Sequence, residues 1–253
     1  MSHGPYVAKY MVGIVMLVLI SALAGLSVPS GSAPGTDSAG MRIEKEGWMA
    51  ASRGKREIVK LPAPPEKGAV SVEEAIWRRR SIRDFTKERL SPETVSTLLW
   101  AAQGITDEGA ELRAAPSAGA TYPLELYCAT AEYVARYLPG RHCLEVTKRG
   151  DVRSQLAGAA LYQSWVEEAP AVFVFVADPP RTAIRYGERA TLYIHIEVGC
   201  ASENLMLQAA AMGLGSVPVG AFEEDEVAEV LDLPKGWIPY LIVPVGVPAG
   251  REE

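Results

Sequence analysis

The chain has 253 residues, 48% of them hydrophobic and 22% charged, with a formal net charge of −6. That length suffices for one sizeable core or two small ones, and the composition excludes a chain disordered throughout. The acidic balance argues against nucleic acid as a partner, because phosphate backbones need a basic surface, and the three widely spaced cysteines, Cys128, Cys143 and Cys200, point away from a structural zinc site or a disulfide framework.

Residues 11–28 carry no charge, and a run of that length sits at the lower limit for crossing a bilayer as a helix. The stretch is expected to be a hydrophobic helix acting as a signal anchor or, given Ala22-Leu23-Ala24, a cleavable signal peptide. The protein is therefore expected to be membrane-anchored or exported; Lys9 ahead of the run and Asp37 as the first charge after it point the bulk of the chain outward. Ser, Gly, Pro and Ala dominate residues 29–40, and a Pro-rich stretch covers residues 61–68. Residues 29–69 read as a flexible linker and residues 70–253 as the compact domain.

Ser71 and Glu74 form a capping box that opens a helix running to about Arg80. Ser91-Pro92-Glu93 opens a second, with Val95, Leu98, Leu99 and Ala102 at helical spacing and Gly104 at its end. Leu124–Thr130 suits a strand, and the unbroken apolar run Ala171–Ala177 suits a strand buried on both faces. Residues 188–212 form the longest regular segment, apolar on nearly all sides, which predicts a central buried helix. Gly213 and Gly215 break it. Residues 216–219 read as a strand, 223–231 as an amphipathic helix and 239–246 as a last strand, whose two prolines imply an edge or a bulge. Helices and strands mix without regular alternation, which predicts an α+β fold with a mixed or antiparallel sheet flanked by helices.

Three segments can carry chemistry. Arg78, Arg79, Arg80 and Arg83 crowd around Ser81 at the end of the first helix; their mutual repulsion is relieved by a helix C-terminus or, far more, by a phosphate. A solvated basic helix end is an equally good reading of those residues alone. Pro116, Ser117, Ala118 and Gly119 form a small-residue loop between prolines that lets backbone approach a flat ligand, or serve as an ordinary turn before a strand. Gly213-Leu214-Gly215-Ser216 leads to Pro218, Val219 and Gly220. Gly220 has no capping duty and leaves bare backbone N–H groups of the kind a flavin ring uses; a plain helix–turn–strand connection is the alternative. His3, His142 and His195 are scattered and predict no metal site, and no GxGxxG, P-loop or GxSxG is present, which disfavours a Rossmann dehydrogenase and a serine hydrolase.

In this order and spacing the three segments, with the long apolar helix between the second and third, resemble the nitroreductase superfamily. Tyr186-Gly187-Glu188-Arg189, Gly199-Cys200, Glu203-Asn204-Leu205, Tyr122-Pro123-Leu124-Glu125 and Pro244-Val245-Gly246 resemble its SagB-type, thiazoline oxidase-like branch. The resemblance implies a nitroreductase-like FMN-binding fold and a homodimer that buries the long helix and completes both flavin sites. It implies that Arg79, Arg80, Ser81 and Arg83 bind the FMN phosphate and the polar edge of the flavin. It also implies that Pro116, Ser117, Ala118 and Gly119 reach FMN from the other subunit, that Pro218, Val219 and Gly220 lie near flavin N5, and that Arg251 is a basic phosphate ligand near the C-terminus. Glu203 stands where the family pattern leads one to expect Gln, and Cys200 where His is common. The implied activity is hydride transfer between NAD(P)H and a small-molecule acceptor, with oxidation of an azoline in a modified peptide or non-catalytic flavin carriage at the membrane as alternatives. Tyr186 is a candidate proton donor or acceptor but is twice as readily read as a core or interface tyrosine, so no catalytic acid or base is assigned.

Overall fold

The computed structural model describes residues 56–250. In chain order the elements are β1 (Ile58–Lys60), α1 (Val72–Arg78), α2 (Pro92–Gln103), β2 (Ile105–Asp107), β3 (Leu112–Arg113), β4 (Leu124–Thr130), β5 (Tyr133–Leu138), β6 (Cys143–Arg149), α3 (Arg153–Ala159), α4 (Ser164–Glu168), β7 (Ala171–Ala177), α5 (Pro179–Tyr186), α6 (Ala190–Ala211), β8 (Gly215–Ser216), α7 (Glu224–Val230) and β9 (Ile238–Gly246). The main sheet runs β1-β6-β5-β4-β7-β9-β8, with every neighbouring pair antiparallel; β2 and β3 form a separate ladder.

The sheet is covered on both faces, and the period-two alternation of strands divides its side chains between two cores. Phe173 and Phe175, with Leu126 and Cys128, join Leu98, Leu99, Ile194 and Leu205 from α2 and α6. Val172, Val174 and Val176, with Tyr127 and Ala129, join Leu156, Val166 and Val227 from α3, α4 and α7. All seven residues of β7 are therefore buried, which is what its unbroken apolar run requires. The result is the α+β, helix–sheet–helix arrangement expected.

Local signals explain the helix starts. Ser71 Oγ accepts the Glu74 N–H at 3.2 Å; the Glu74 carboxylate turns instead to Arg78, so only half of the capping box forms. Ser91 Oγ likewise accepts the Thr94 N–H at 3.2 Å. α6 starts two residues later than expected, after a 3-10 turn at Gly187–Arg189. Of residues 216–219 only Ser216 joins a strand, and Val219 makes an isolated bridge to Ile242. The prolines of β9 act as expected: the β7–β9 register shifts where Val176 meets Pro239, because proline has no N–H to give the ladder.

Two expectations are corrected. Ile58–Lys60, inside the stretch read as linker, is an edge strand paired to β6. Its anchor is Pro62, whose carbonyl accepts hydrogen bonds from Ser96 Oγ at 2.5 Å and from His142 Nε2 at 2.9 Å. The expectation of a membrane-anchored or exported protein is withdrawn: among the described residues no helix is long and apolar enough to cross a membrane. The longest helix, α6, packs against the sheet and carries Glu197 and Glu203. The hydrophobic helix expected at residues 11–28 lies outside the described residues.

Candidate active site

The first and third segments come together. Arg79 caps the C-terminus of α1, and the chain then runs beside β8: Ser81 bridges Ser216 in parallel, and the Ile82 N–H donates to the Ser216 carbonyl at 3.0 Å. This approach needs Gly215, since a Cβ there would stand 2.7 Å from Ile82 Cβ. Gly213 turns the chain out of α6 at φ +75°, and the Leu214 N–H caps the helix by donating to the Ala209 carbonyl at 2.8 Å. Between these strands of chain lies a cavity of about 210 Å³ lined by Arg78, Arg79, Arg80, Gly213, Leu214 and Ser216, among others. Pro218 and Gly220 are exposed just beyond it while Val219 is buried, and a Cβ on Gly220 would meet nothing within 4 Å.

The charges of the cluster are only half balanced. Arg78 pairs with Glu74, and Arg79 Nε lies 3.2 Å from Glu203 Oε1 on α6. Arg80 donates only to the Arg79 carbonyl, at 2.7 Å. Arg83 sits 5.4 Å from the centre of the Trp165 ring. Neither Arg80 nor Arg83 has a carboxylate partner among the described residues. Arg80, without a carboxylate partner and lining the cavity with Gly213, offers a donor suited to a phosphate ester.

The second segment lies elsewhere in the same chain. Residues 116–119 pack on α5 and on the middle of α6. The Gly119 carbonyl accepts from Arg185 Nη1 at 3.1 Å, and Thr121 Oγ1 lies 2.9 Å from Thr182 Oγ1. A Cβ on Gly119, at φ +58°, would stand 2.5 Å from Tyr186 Oη. From Glu197 under this loop to Ala210 at the cavity, α6 advances about 20 Å at roughly 1.5 Å per residue. Tyr186 stacks edge-on against Tyr193, 4.7 Å between centroids. Arg251 lies outside the described residues.

Two groups beneath the loop carry no expectation from the sequence. Glu197 is 2% exposed and its Oε1 has no hydrogen-bond partner among the described residues. Burial pushes its carboxyl up to about 7, opposed by the Ser117 hydroxyl and by Arg113. Arg113 donates to Gln103 Oε1 at 2.8 Å and stacks 4.6 Å over Tyr122; burial lowers its guanidinium, with Glu125 and Glu197 opposing. The signal for Glu197 was an acid set among apolar neighbours in the first half of an otherwise apolar helix. Elsewhere, burial pushes the Cys128 thiol up to about 12, which makes it inert, and among the described residues no group of three metal-ligating side chains exists. A larger cavity, about 830 Å³, opens between β1, the β4–β5 turn and α3, and none of the expected site residues lines it.

A profile of the nitroreductase family matches residues 76–247, a stretch that includes the cavity walls from Arg78 to Ser216. A protein of Methanocaldococcus jannaschii named for a nitroreductase is 38% identical over 188 residues, covering 72% of this chain and 93% of that one. A crystal structure of a Ralstonia eutropha protein, also named for a nitroreductase, superposes with a TM-score of 0.71 at 30% identity, covering 77% of this chain and 90% of that one. The NADPH:FMN oxidoreductase of Vibrio harveyi, complexed with NAD+, superposes at 0.53 with 26% identity over 72% of this chain and 70% of that one. With the fold, the arginine-lined cavity and this similarity in hand, the chain belongs to the nitroreductase family.

Proposed function

We propose that this protein is an FMN-dependent oxidoreductase that moves a hydride between NAD(P)H and a small organic acceptor. The observation that carries the reading is the cavity walled by Arg78, Arg79 and Arg80 together with Gly213 and Ser216, in which Arg80 has no carboxylate partner among the described residues. The family and the named activity of the Vibrio harveyi relative support it. Bound FMN supplies hydride acceptance and donation at N5.

The residues present fit that cofactor. Arg79, Arg80 and Arg83 would neutralise its phosphate, and Ser81 would add a hydroxyl contact. Pro218, Val219 and Gly220 would set bare backbone against the ring without offering a competing nucleophile. A cavity of about 210 Å³ falls short of the roughly 300 Å³ or more typical of small-molecule sites. The site therefore needs a second contributor. Residues 116–119, remote from the cavity in their own chain, are the segment read as reaching the flavin of a second copy in a homodimer. Leu192 and Ile196, 50% and 53% exposed on the outer face of α6, supply an apolar surface for that contact. No side chain is needed as acid or base for hydride transfer, so the protein's work is to hold geometry and exclude water. Arg251 remains the proposed further phosphate ligand. Within the family, the motifs around Tyr186 and Glu203 favour the SagB-type branch; oxidation of an azoline peptide, tested beside NAD(P)H oxidation, separates the two substrate classes.

The test is an absorbance spectrum of purified protein followed by anaerobic titration with NADH and NADPH. A flavin spectrum that bleaches on titration is expected. Protein that stays colourless after incubation with FMN, or whose flavin neither nucleotide reduces, overturns the proposal.

A further inference from the structure

The larger cavity, about 830 Å³, shares no residue with the arginine-lined one, and its volume lies within the roughly 300–1,000 Å³ of ligand sites. It is a groove across the sheet, from Lys60 at β1, past the β4–β5 turn, to Glu168 and Pro170 ahead of β7. The strand order β1-β6-β5-β4-β7 puts four interstrand steps between its ends, which at about 4.8 Å each make about 19 Å. The middle is apolar: Leu61, Leu90 and Tyr133 lie partly buried against the core that holds Val95 and Leu144. The ends differ in charge. Lys60 has no carboxylate partner among the described residues, because the acids of its neighbourhood are taken: Glu57 pairs with Arg149, and Glu145 with Arg56 and Arg136. At the other end Asp151 is held by Arg153, whose Nη1 also donates to the Ala169 carbonyl at 2.8 Å. Glu167 and Glu168 enter no ion pair among the described residues, and the remaining cation there is Lys87, carried toward the start of β7 by the Thr86 N–H bond to the Val247 carbonyl. Three acids against two bases leave that end negative. Between the ends, Arg89 and Glu132 neutralise each other.

We infer that this groove binds a short apolar peptide with free ends, its carboxylate at Lys60 and its ammonium at Glu167 and Glu168. Length, polarity and charge each narrow the choice. An extended chain rises about 3.3 Å per residue, so about six residues cover the span, whereas a single amino acid cannot meet both ends. An acyl chain with a terminal carboxylate satisfies the apolar middle and Lys60 but sets a methyl group against the acidic end. A peptide answers all three, and its alternating side chains place every second residue on the apolar floor and the others toward solvent. The charged groups at both ends are exposed, so they set the direction of the chain more than the strength of binding; the floor supplies the affinity. The site is independent of the flavin reading and needs no second copy of the chain.

The experiment is calorimetric titration of the full chain with a hexapeptide of alternating serine and leucine, in four forms: both ends free, amino end acetylated, carboxyl end amidated, and both blocked. The free peptide is expected to bind one per chain, and each block should weaken it about threefold, the effect of one exposed ion pair. Lys60→Met, which keeps the aliphatic stem, should erase the difference between free and amidated peptide and preserve that between free and acetylated. The double variant Glu167→Gln, Glu168→Gln should do the reverse. Ala131→Trp, at an exposed position of the groove wall, should abolish binding of all four forms while circular dichroism and FMN binding stay as in wild type. Decanoate should bind more weakly than the free peptide and be displaced by it. Failure of the free peptide to bind, equal affinity for all four forms in wild type, end discrimination that survives Lys60→Met and the double glutamine variant, or undiminished binding in Ala131→Trp overturns the inference. Decanoate binding more tightly than every peptide also overturns it and makes the groove an acyl-chain site. None of these results bears on the cofactor reading.

Discussion

Glu203 sets a competition inside the site. Its carboxylate lies 3.2 Å from Arg79 Nε, with the two side chains 46% and 32% exposed, so the pair adds little to stability. In the proposed phosphate site its effect would be larger, because it occupies one guanidinium and would place a negative charge beside the ligand. Glu203→Gln should leave the melting temperature within about a degree or two, since exposed pairs are worth roughly 0–1 kcal/mol. It should also tighten FMN binding several-fold while riboflavin binding stays unchanged. Titration of both flavins against both proteins checks this; equal tightening for riboflavin would place Glu203 against the ring rather than the phosphate. The sequence shows Glu203 where Gln is expected but not that the acid reaches Arg79, because the two residues lie on separate elements joined only by tertiary packing. The arginine cluster itself is legible, since four like charges in six positions demand a counter-charge. Glu197 escapes notice because one acid among apolar neighbours does not reveal which face of the helix it lies on.

At the scale of elements, legibility follows from how much of an element's identity is local. Pro92–Gln103 carries its own cap, its proline at the first position and its terminal glycine, so its limits are readable from the chain alone. β7 declares itself through composition. β5 and β6 do not: Arg136, Glu145, Thr147 and Lys148 interrupt the apolar pattern, and these strands are fixed by pairing with each other and with β1. The Pro139-Gly140 turn between them was the readable hint. β1 is held by Pro62, Ser96 and His142, three residues far apart in sequence. The element that shapes the site is β8, and its narrowest point is Gly215 against Ile82. Gly215→Ala should destabilise the protein by about 1–3 kcal/mol, as overpacked sites do, and weaken FMN binding, because the arginine segment is displaced along with Ile82. Gly213→Ala meets no atom within 4 Å but takes a positive φ of 75°, so it should cost roughly 1 kcal/mol through the backbone alone. Urea denaturation separates the two mechanisms. Replacing Ile82 by Gly, which removes the opposing Cβ as well as the γ carbons, should recover part of the loss in Gly215→Ala and none of it in Gly213→Ala. Recovery in neither background would show that the close approach is not what Gly215 serves.

For the whole molecule, the strongest constraint is what the single chain leaves incomplete. Leu192 and Ile196 are one turn apart on the outer face of α6, and Val72, Ile76 and Trp77 stand 61%, 58% and 80% exposed on α1. Contiguous apolar surface on a folded chain marks a contact site, and a two-fold axis lets one such surface cover its own copy. In the proposed homodimer residues 116–119 of one copy would reach the arginines of the other, from which they are separated within one chain along a helix of 22 residues. Assembly and cofactor binding should therefore fail together. Ile196→Glu places a charge in the middle of the apolar face without touching the core, since Ile196 is 53% exposed. It should convert a dimer into a folded monomer by sedimentation equilibrium and weaken FMN binding at least tenfold, with the far-ultraviolet spectrum unchanged. The concentration dependence carries the decision: wild-type FMN affinity should fall on dilution below the dimer dissociation constant, whereas affinity independent of protein concentration, in a wild type that sediments as a monomer, would mean that one chain builds the site by itself.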